Sequence, residues 1–303
     1  MNMILLQVQK FLQDAGAGPV ELDEKLIKEF GEACKKAVRA QLTEERNKDR
    51  TLRMSSVGRP TCQLQLESKD TPKEPHAYND VFRNLFGHLI EAAAIMIMKG
   101  AGVNIDSEHE KVKLDIGGIS LSGEYDVVID GKLYDIKSAS PFAYANKFDK
   151  SFQAVVEHDD FGYVSQGYGY AEASGKPFGG WIVINKVTGE WTICETPLVD
   201  DKYRAKALED IDATIRTVKS DAPFKKCFTD EEETYRKKPT GNRVLGFTCG
   251  YCPYKGTCWP TAQLLPAQMS KGATPKLTWY THVENSIRGT DNDGSEAETD
   301  RRD

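Results

Sequence analysis

Apolar positions along the chain change period from one segment to the next, and the changes mark elements. Ile4, Leu5, Val8, Phe11 and Leu12 recur at helical spacing and predict a helix near 3–14. Leu22, Leu26, Ile27, Phe30, Cys34 and Val38 form the apolar stripe of a second helix over about 21–46. Residues 79–99, "NDVFRNLFGHLIEAAAIMIMK", predict a mostly buried helix. Strands follow near 110–116, 119–129 and 132–138, then a helical stretch with a loop over 141–175. "GGWIVINKVTGEWTICE" reads as a hairpin turning at Thr188-Gly189, and a helix spans about 200–219. The remainder reads as loop-rich and holds most of the cysteines. Helices, a three-stranded meander, a helix and more strands predict an α/β or α+β sandwich around a central mixed sheet.

The meander contains an oddity. In "GEYDVVIDGKLYDIK", Asp130-Gly131 is a two-residue turn, because both residue types tolerate positive φ. With that turn Ile129 faces Lys132, Val128 faces Leu133, Asp126 faces Asp135 and Glu124 faces Lys137. Tyr125, Val127, Ile129, Tyr134 and Ile136 then point to the opposite face. Opposed carboxylates repel unless a positive charge lies between them, and a divalent cation suits that place. A polar hairpin end in which both aspartates face water is the bland alternative, and a one-residue slip would undo the pairing.

Net charge is −6, from 40 Lys and Arg against 46 Asp and Glu. Residues 284–303 hold seven of the acids and three of the bases, so the body is close to neutral and could carry a basic groove. That tail is polar and is expected to be disordered. No stretch is expected to span a membrane, Lys10 and Asp14 interrupt the apolar start, and a cytoplasmic protein is expected. No Walker A pattern is present.

Seven cysteines stand at 34, 62, 194, 227, 249, 252 and 258. "CGYCPYKGTC" gives C-x2-C-x5-C at Cys249, Cys252 and Cys258, a spacing that lets thiolates share one metal centre. Cys34 and Cys194 lie on a helix stripe and in a strand and read as small core residues. Cys62, in the punctuated loop "SSVGRPTCQ", is the better fourth ligand and Cys227 its rival. Zinc and an iron–sulfur cluster both accept four thiolates.

Taken in order, the motifs resemble the RecB-like branch of the PD-(D/E)xK nuclease superfamily that carries an iron–sulfur cluster. That branch includes CRISPR-associated adaptation exonucleases and the AddB nuclease domain. "RMSSVGRPTC" is similar to the family's N-terminal Ser…Cys segment, and "GHLIEAA" to its helix with a metal-binding histidine, here His88. "GEYD" followed by "YDIK" is similar to the G-x-x-D…(D/E)-x-K core, at Asp126, Asp135 and Lys137. "QGYGY" is similar to the Q-x3-Y helix motif, at Gln166 and Tyr170. Gln63 after the first cysteine and Ser138 after Lys137 depart from the usual pattern.

The resemblance covers about residues 53–260 and implies a restriction-endonuclease-like central mixed β-sheet flanked by helices, with a C-terminal cysteine cluster. It implies a segment 1–50 of helices, a nuclease domain over 51–262, an extension 263–283 and the tail 284–303. It implies phosphodiester hydrolysis by a metal-dependent DNA exonuclease of phage type, in the host cytoplasm, for replication, recombination or end processing. Asp126, Asp135, the Ile136 carbonyl and His88 would hold Mg²⁺ or Mn²⁺, with Glu91 in support through a water. Lys137 would orient the attacking water or stabilise charge, with Glu124 to position it. Gln166 and Tyr170 would touch the DNA backbone or hold Lys137. Cys62, Cys249, Cys252 and Cys258 would carry a [4Fe-4S] cluster, with structural Zn²⁺ as the alternative. Arg53, Arg59 and Lys147 are candidate phosphate contacts, although an ordinary solvated cation is the more common role for each. DNA ends, single- or double-stranded, are the expected partner, and the acidic tail could meet a replication or recombination protein. A site-specific endonuclease on the same fold, a silent DNA-binding subunit and a zinc module are the competing readings.

Overall fold

The structure, a computed structural model, describes residues 2–43, 52–220, 222–269 and 275–284. The chain divides into two compact units, Met1–Cys227 and Phe228–Asp303, so the stretch expected as one domain, 51–262, spans parts of both. The acidic tail beyond residue 284 lies outside the described residues.

The first unit opens with α1 (Met3–Ala17) and α2 (Glu24–Leu42), whose N-caps Asn2 and Asp23 accept from the backbone of Ile4 and Lys25. A 3₁₀ turn at Met54–Ser56 precedes α3 (Thr61–Ser68) and the long α4 (Tyr78–Gly100). Five strands follow: β1 (Ile105–Glu108), β2 (Lys111–Ile116), β3 (Ile119–Glu124), β4 (Val127–Ile129) and β5 (Lys132–Ala139). The chain returns through α5 (Pro141–Ala143), a π-helical turn, α6 (Phe152–Glu157) and α7 (Tyr163–Ser174). It then forms β6 (Phe178–Asn185), β7 (Trp191–Glu195) and α8 (Asp201–Lys219).

One five-stranded sheet has the order β1-β4-β5-β6-β7. Its β5–β6 pair is parallel and the other pairs antiparallel, so the sheet is mixed. Every residue of β6 is buried, as expected of an apolar strand covered on both faces. On one face Val127, Ile129, Tyr134, Ile136, Ile182 and Ile184 pack with Ile4, Val8, Ala94, Ile95 and Met98 of α1 and α4. On the other, Val128, Leu133, Trp181 and Val183 pack with residues of α6, α7 and α8, among them Phe152, Tyr168 and Ile211. The molecule is thus a mixed α/β protein with helices on both faces of its central sheet.

Three expectations need correction. The strand read over 119–129 is two strands: β3 pairs with β2 in a separate ribbon, and β4 joins the five-stranded sheet. The jump falls at Tyr125–Asp126, so Tyr125 packs with Leu121 and Val128 rather than on the Val127 face. In α4 only Ala94, Ile95 and Met98 are buried, while Tyr78 is 89% and Phe82 64% exposed. That helix is long and apolar enough to cross a membrane by length and composition, which the sequence reading had set aside, and it packs against α1, α2 and β5.

The region read as loop holds the second unit's sheet. It comprises β8 (Glu231–Tyr235), β9 (Lys238–Val244), α9 (Phe247–Tyr251), α10 (Lys255–Cys258), β10 (Gln263–Pro266) and β11 (Leu277–His282). The four strands are antiparallel in the order β10-β11-β9-β8. Glu233 ties them together, accepting from Tyr280 Oη at 2.6 Å, Asn242 Nδ2 at 2.6 Å and Thr240 Oγ1 at 2.9 Å.

Candidate active site

The turn at Asp130 (φ 47°) and Gly131 (φ 75°) sets the expected register: Ile129 opposite Lys132, Val128 opposite Leu133 and Val127 opposite Tyr134. The ladder stops there. Asp126 sits in the jump between sheets, and its Oδ2 accepts a 2.6 Å hydrogen bond from the Ile136 amide, one residue past Asp135. A side chain thus replaces the missing rung and keeps Asp126 beside β5.

Asp135 is 3% exposed. Lys137 Nζ donates to its Oδ1 at 2.8 Å and lies 2.6 Å from Oδ2, out of line for a hydrogen bond; buried Oδ2 has no hydrogen-bond partner. Burial raises the carboxyl pKa of both aspartates, and Asp135 adds to the rise at Asp126. Burial works to lower the Lys137 pKa, but Asp135 and Asp126 outweigh it, so the ammonium is held charged.

Helix α7 covers this group. Lys137 Nζ lies over the Tyr163 ring, 5.2 Å from its centroid. Asp159 anchors the helix start, accepting from the Tyr163 amide at 2.7 Å and the Val164 amide at 2.9 Å. One turn on, Gln166 hydrogen-bonds the buried Tyr170, whose phenol is pushed up to about 12 by burial and by Asp126 and Asp135. Gly123 makes this approach feasible: a Cβ there would lie 2.6 Å from Tyr170 Cε1 and 2.7 Å from Met54 Cβ. The glycine of "GEYD" is therefore needed for packing. Gly58 and Gly162 likewise cross closely, since a Cβ on Gly58 would lie 2.4 Å from the Gly162 backbone.

A second string of side chains runs along the edge. His88 Nδ1 is 3.7 Å from Glu91, and the carboxylate raises the imidazole pKa against an opposing burial effect. Glu91 is 3.8 Å from His109, which is 3.6 Å from Glu124. Glu124 pairs with Lys111 across the β2–β3 ribbon and lies 3.7 Å from Lys36. It therefore does not face Lys137 as expected, because the chain changes sheets immediately after it.

Arg53 and Arg59 are exposed, and Arg53 bridges to Ser122 beside β3. Lys147 is not free for a phosphate: its ammonium bonds the His158 carbonyl and lies 3.0 Å from Asp160. Tyr163, Asp159 and His109 escaped the sequence reading. Tyr163 had a signal, three positions before Gln166 on one helix face. His109 had none, since a loop brings it in, through its amide on the Asp126 carbonyl at 3.1 Å.

Cys62 lies in the first turn of α3, not in a loop, and its amide donates to Cys227 Sγ at 3.1 Å. Cys194 is buried in β7 with its thiol pushed up to about 12 by burial, an ordinary core residue, whereas Cys34 is only half-buried. In the second unit Cys249 lies in α9, Cys252 follows it directly and Cys258 ends α10. Among the described residues no three of His, Cys, Asp and Glu already converge on one point to hold a metal. The donor chemistry at Asp126 and Asp135 nevertheless fits a hard cation: two carboxylates repel each other, and a buried Oδ2 lacks a hydrogen bond.

Fold and site together define a mixed α/β protein with a carboxylate–lysine centre at the edge where its sheets meet. No protein-family model matches the chain, and no curated protein matches it. Among solved structures, the crystal structure of SSO0001 is similar at 15% identity, over 75% of this chain and 95% of that one, with a TM-score of 0.41.

Proposed function

We propose that the protein is a metal-dependent deoxyribonuclease, a DNA exonuclease of the RecB-like PD-(D/E)xK type on a restriction-endonuclease-like sheet. The observation that carries this reading is the meeting of Asp126, Asp135 and Lys137 at the Ile136 backbone. Asp126, Asp135, the Ile136 carbonyl and His88 are the residues that would hold Mg²⁺ or Mn²⁺, which supplies Lewis-acid activation of phosphate and water. Lys137, kept charged by its neighbours, stabilises negative charge on the phosphate under attack. Tyr163 presents its ring face to that ammonium, and Gln166 and Tyr170, the latter close enough to feel both aspartates, would touch the DNA backbone or hold Lys137.

The test is degradation of end-labelled linear DNA, single- and double-stranded, with Mg²⁺ or Mn²⁺. Wild type is expected to release labelled ends, and Asp135→Ala and Lys137→Ala to lose at least about 100-fold in rate while still folded. An inert wild type with either metal would refute the reading. Cleavage of closed circular DNA would turn it to an endonuclease. For Cys249, Cys252 and Cys258 we propose a role as ligands of a [4Fe-4S] cluster. Brown protein absorbing near ~400 nm supports it, and a colourless protein with one zinc refutes it.

A further inference from the structure

In the second unit β8 and β9 join through a two-residue loop, Arg236-Lys237, closed by the pair Tyr235–Lys238. Both loop residues have positive φ, 50° and 65°. Such loops favour Asn, Asp and Gly, which tolerate that backbone. The other non-glycine residues with positive φ among those described are Asp70, His109 and Asp130, of types that visit this region more readily. Arg and Lys have no such ease, so the backbone here is strained by two long cations.

Those cations are uncompensated among the described residues. Among the described residues Arg236, Lys237 and Lys238 form no ion pair, although the chain as a whole is acidic. The nearby acids are engaged elsewhere: Asp230 with Arg243 and Thr281, and Glu233 with Tyr280, Asn242 and Thr240. Glu231 and Glu232 sit at the far end of β8, roughly 13 Å of strand away from the loop. At the tip itself the Tyr235 ring is 40% exposed, and the Arg236 guanidinium lies 5.4 Å from its centroid. A flat ring and a flat guanidinium next to two ammonium groups match a nucleotide, with its planar base and its phosphate. Apart from Tyr235 and Pro239 the tip offers no apolar side chain to enter a lipid surface.

We propose that the tip of this hairpin is a nucleic-acid contact separate from the carboxylate–lysine centre. Arg236, Lys237 and Lys238 meet the phosphate backbone, and Tyr235 stacks on a base. Choosing a nucleic acid over another polyanion rests on the nuclease reading.

The experiment measures binding of the full chain to a fluorescent 20-nucleotide DNA strand in EDTA, so that cleavage plays no part. The double variant Arg236→Asn/Lys237→Gly supplies an easier turn and removes two charges. It is expected to melt a few degrees higher, to bind about tenfold more weakly near 100 mM salt, and to show a salt slope shallower by about one to two. Tyr235→Ala is expected to weaken binding about fivefold or more with the slope unchanged. Parental affinity and slope in the double variant would overturn the proposal. So would loss of binding to anionic phosphatidylglycerol vesicles with DNA binding intact. Because binding is read without metal, a protein that never cuts DNA but loses binding in the double variant would refute the nuclease reading and leave the hairpin contact standing.

Discussion

Lys137 is held by two partners, Asp135 and the face of Tyr163. An ammonium over an aromatic face gains about 0.5–2 kcal/mol. Tyr163→Phe keeps the face and is expected to retain activity within about twofold, whereas Tyr163→Leu is expected to lose about tenfold in kcat with the fold intact. Steady-state kinetics on one labelled strand separates the two. The carboxylates and the lysine were legible in the sequence because a two-residue turn fixes register by counting. Glu124 was misplaced because counting assumes that one ladder continues, and the chain changes sheets between Glu124 and Val127. His109 reaches the centre on a loop, where no local period points, whereas Tyr163 shares a helix face with Gln166 and could have been read from that spacing.

At the scale of elements, α7 is held where it is by its cap and by a close backbone crossing. Asp159→Ala removes acceptors for two amides and is expected to cost about 1–2 kcal/mol of stability in urea unfolding. Gly58→Ala puts a methyl against the Gly162 backbone and is expected to cost about 1–3 kcal/mol, and to lower activity by displacing Tyr163. The sheet of the second unit makes a pH-dependent prediction. Burial works to raise the Glu233 pKa, but hydrogen bonds from Tyr280, Asn242 and Thr240 bring it below its ordinary value. Its stabilising effect is therefore complete above about pH 4.3, the unfolded value, and fades as pH falls towards the lowered one. Glu233→Gln is expected to flatten the acid limb of the unfolding curve over that range, as read by circular dichroism. Long periodic helices and most of the first unit's strands were legible, but the stretch 119–129 was read as one strand and β1 was not legible. The second unit's strands were not, because "EEETY" and "KPTGNRV" carry their polar residues into the hydrogen-bond network around Glu233 instead of alternating.

For the whole molecule, charge is distributed rather than summed. The stretch 284–303 carries a net −4 of the chain's −6. A chain ending at residue 283 is expected to bind DNA about two- to fivefold more tightly at 50 mM salt, with the difference gone by about 300 mM, where screening removes long-range repulsion. Anisotropy titrations at the two salt concentrations check it. A central mixed sheet was legible from element order and helices flanking it from the motif resemblance, and the division at Cys227 was legible from neither. No shift in composition marks it, and the boundary lies within the stretch from Cys62 to Cys258 that the motif resemblance joins.

The hydrogen bond from the Ile136 amide to Asp126 also makes a built-in reporter. That amide proton sits on the Asp126 carboxylate, so its resonance and its exchange with solvent read the state of the carboxylate directly. With Ile136 labelled by ¹⁵N, titrating magnesium would show whether the centre fills, with no substrate present and no bond cut.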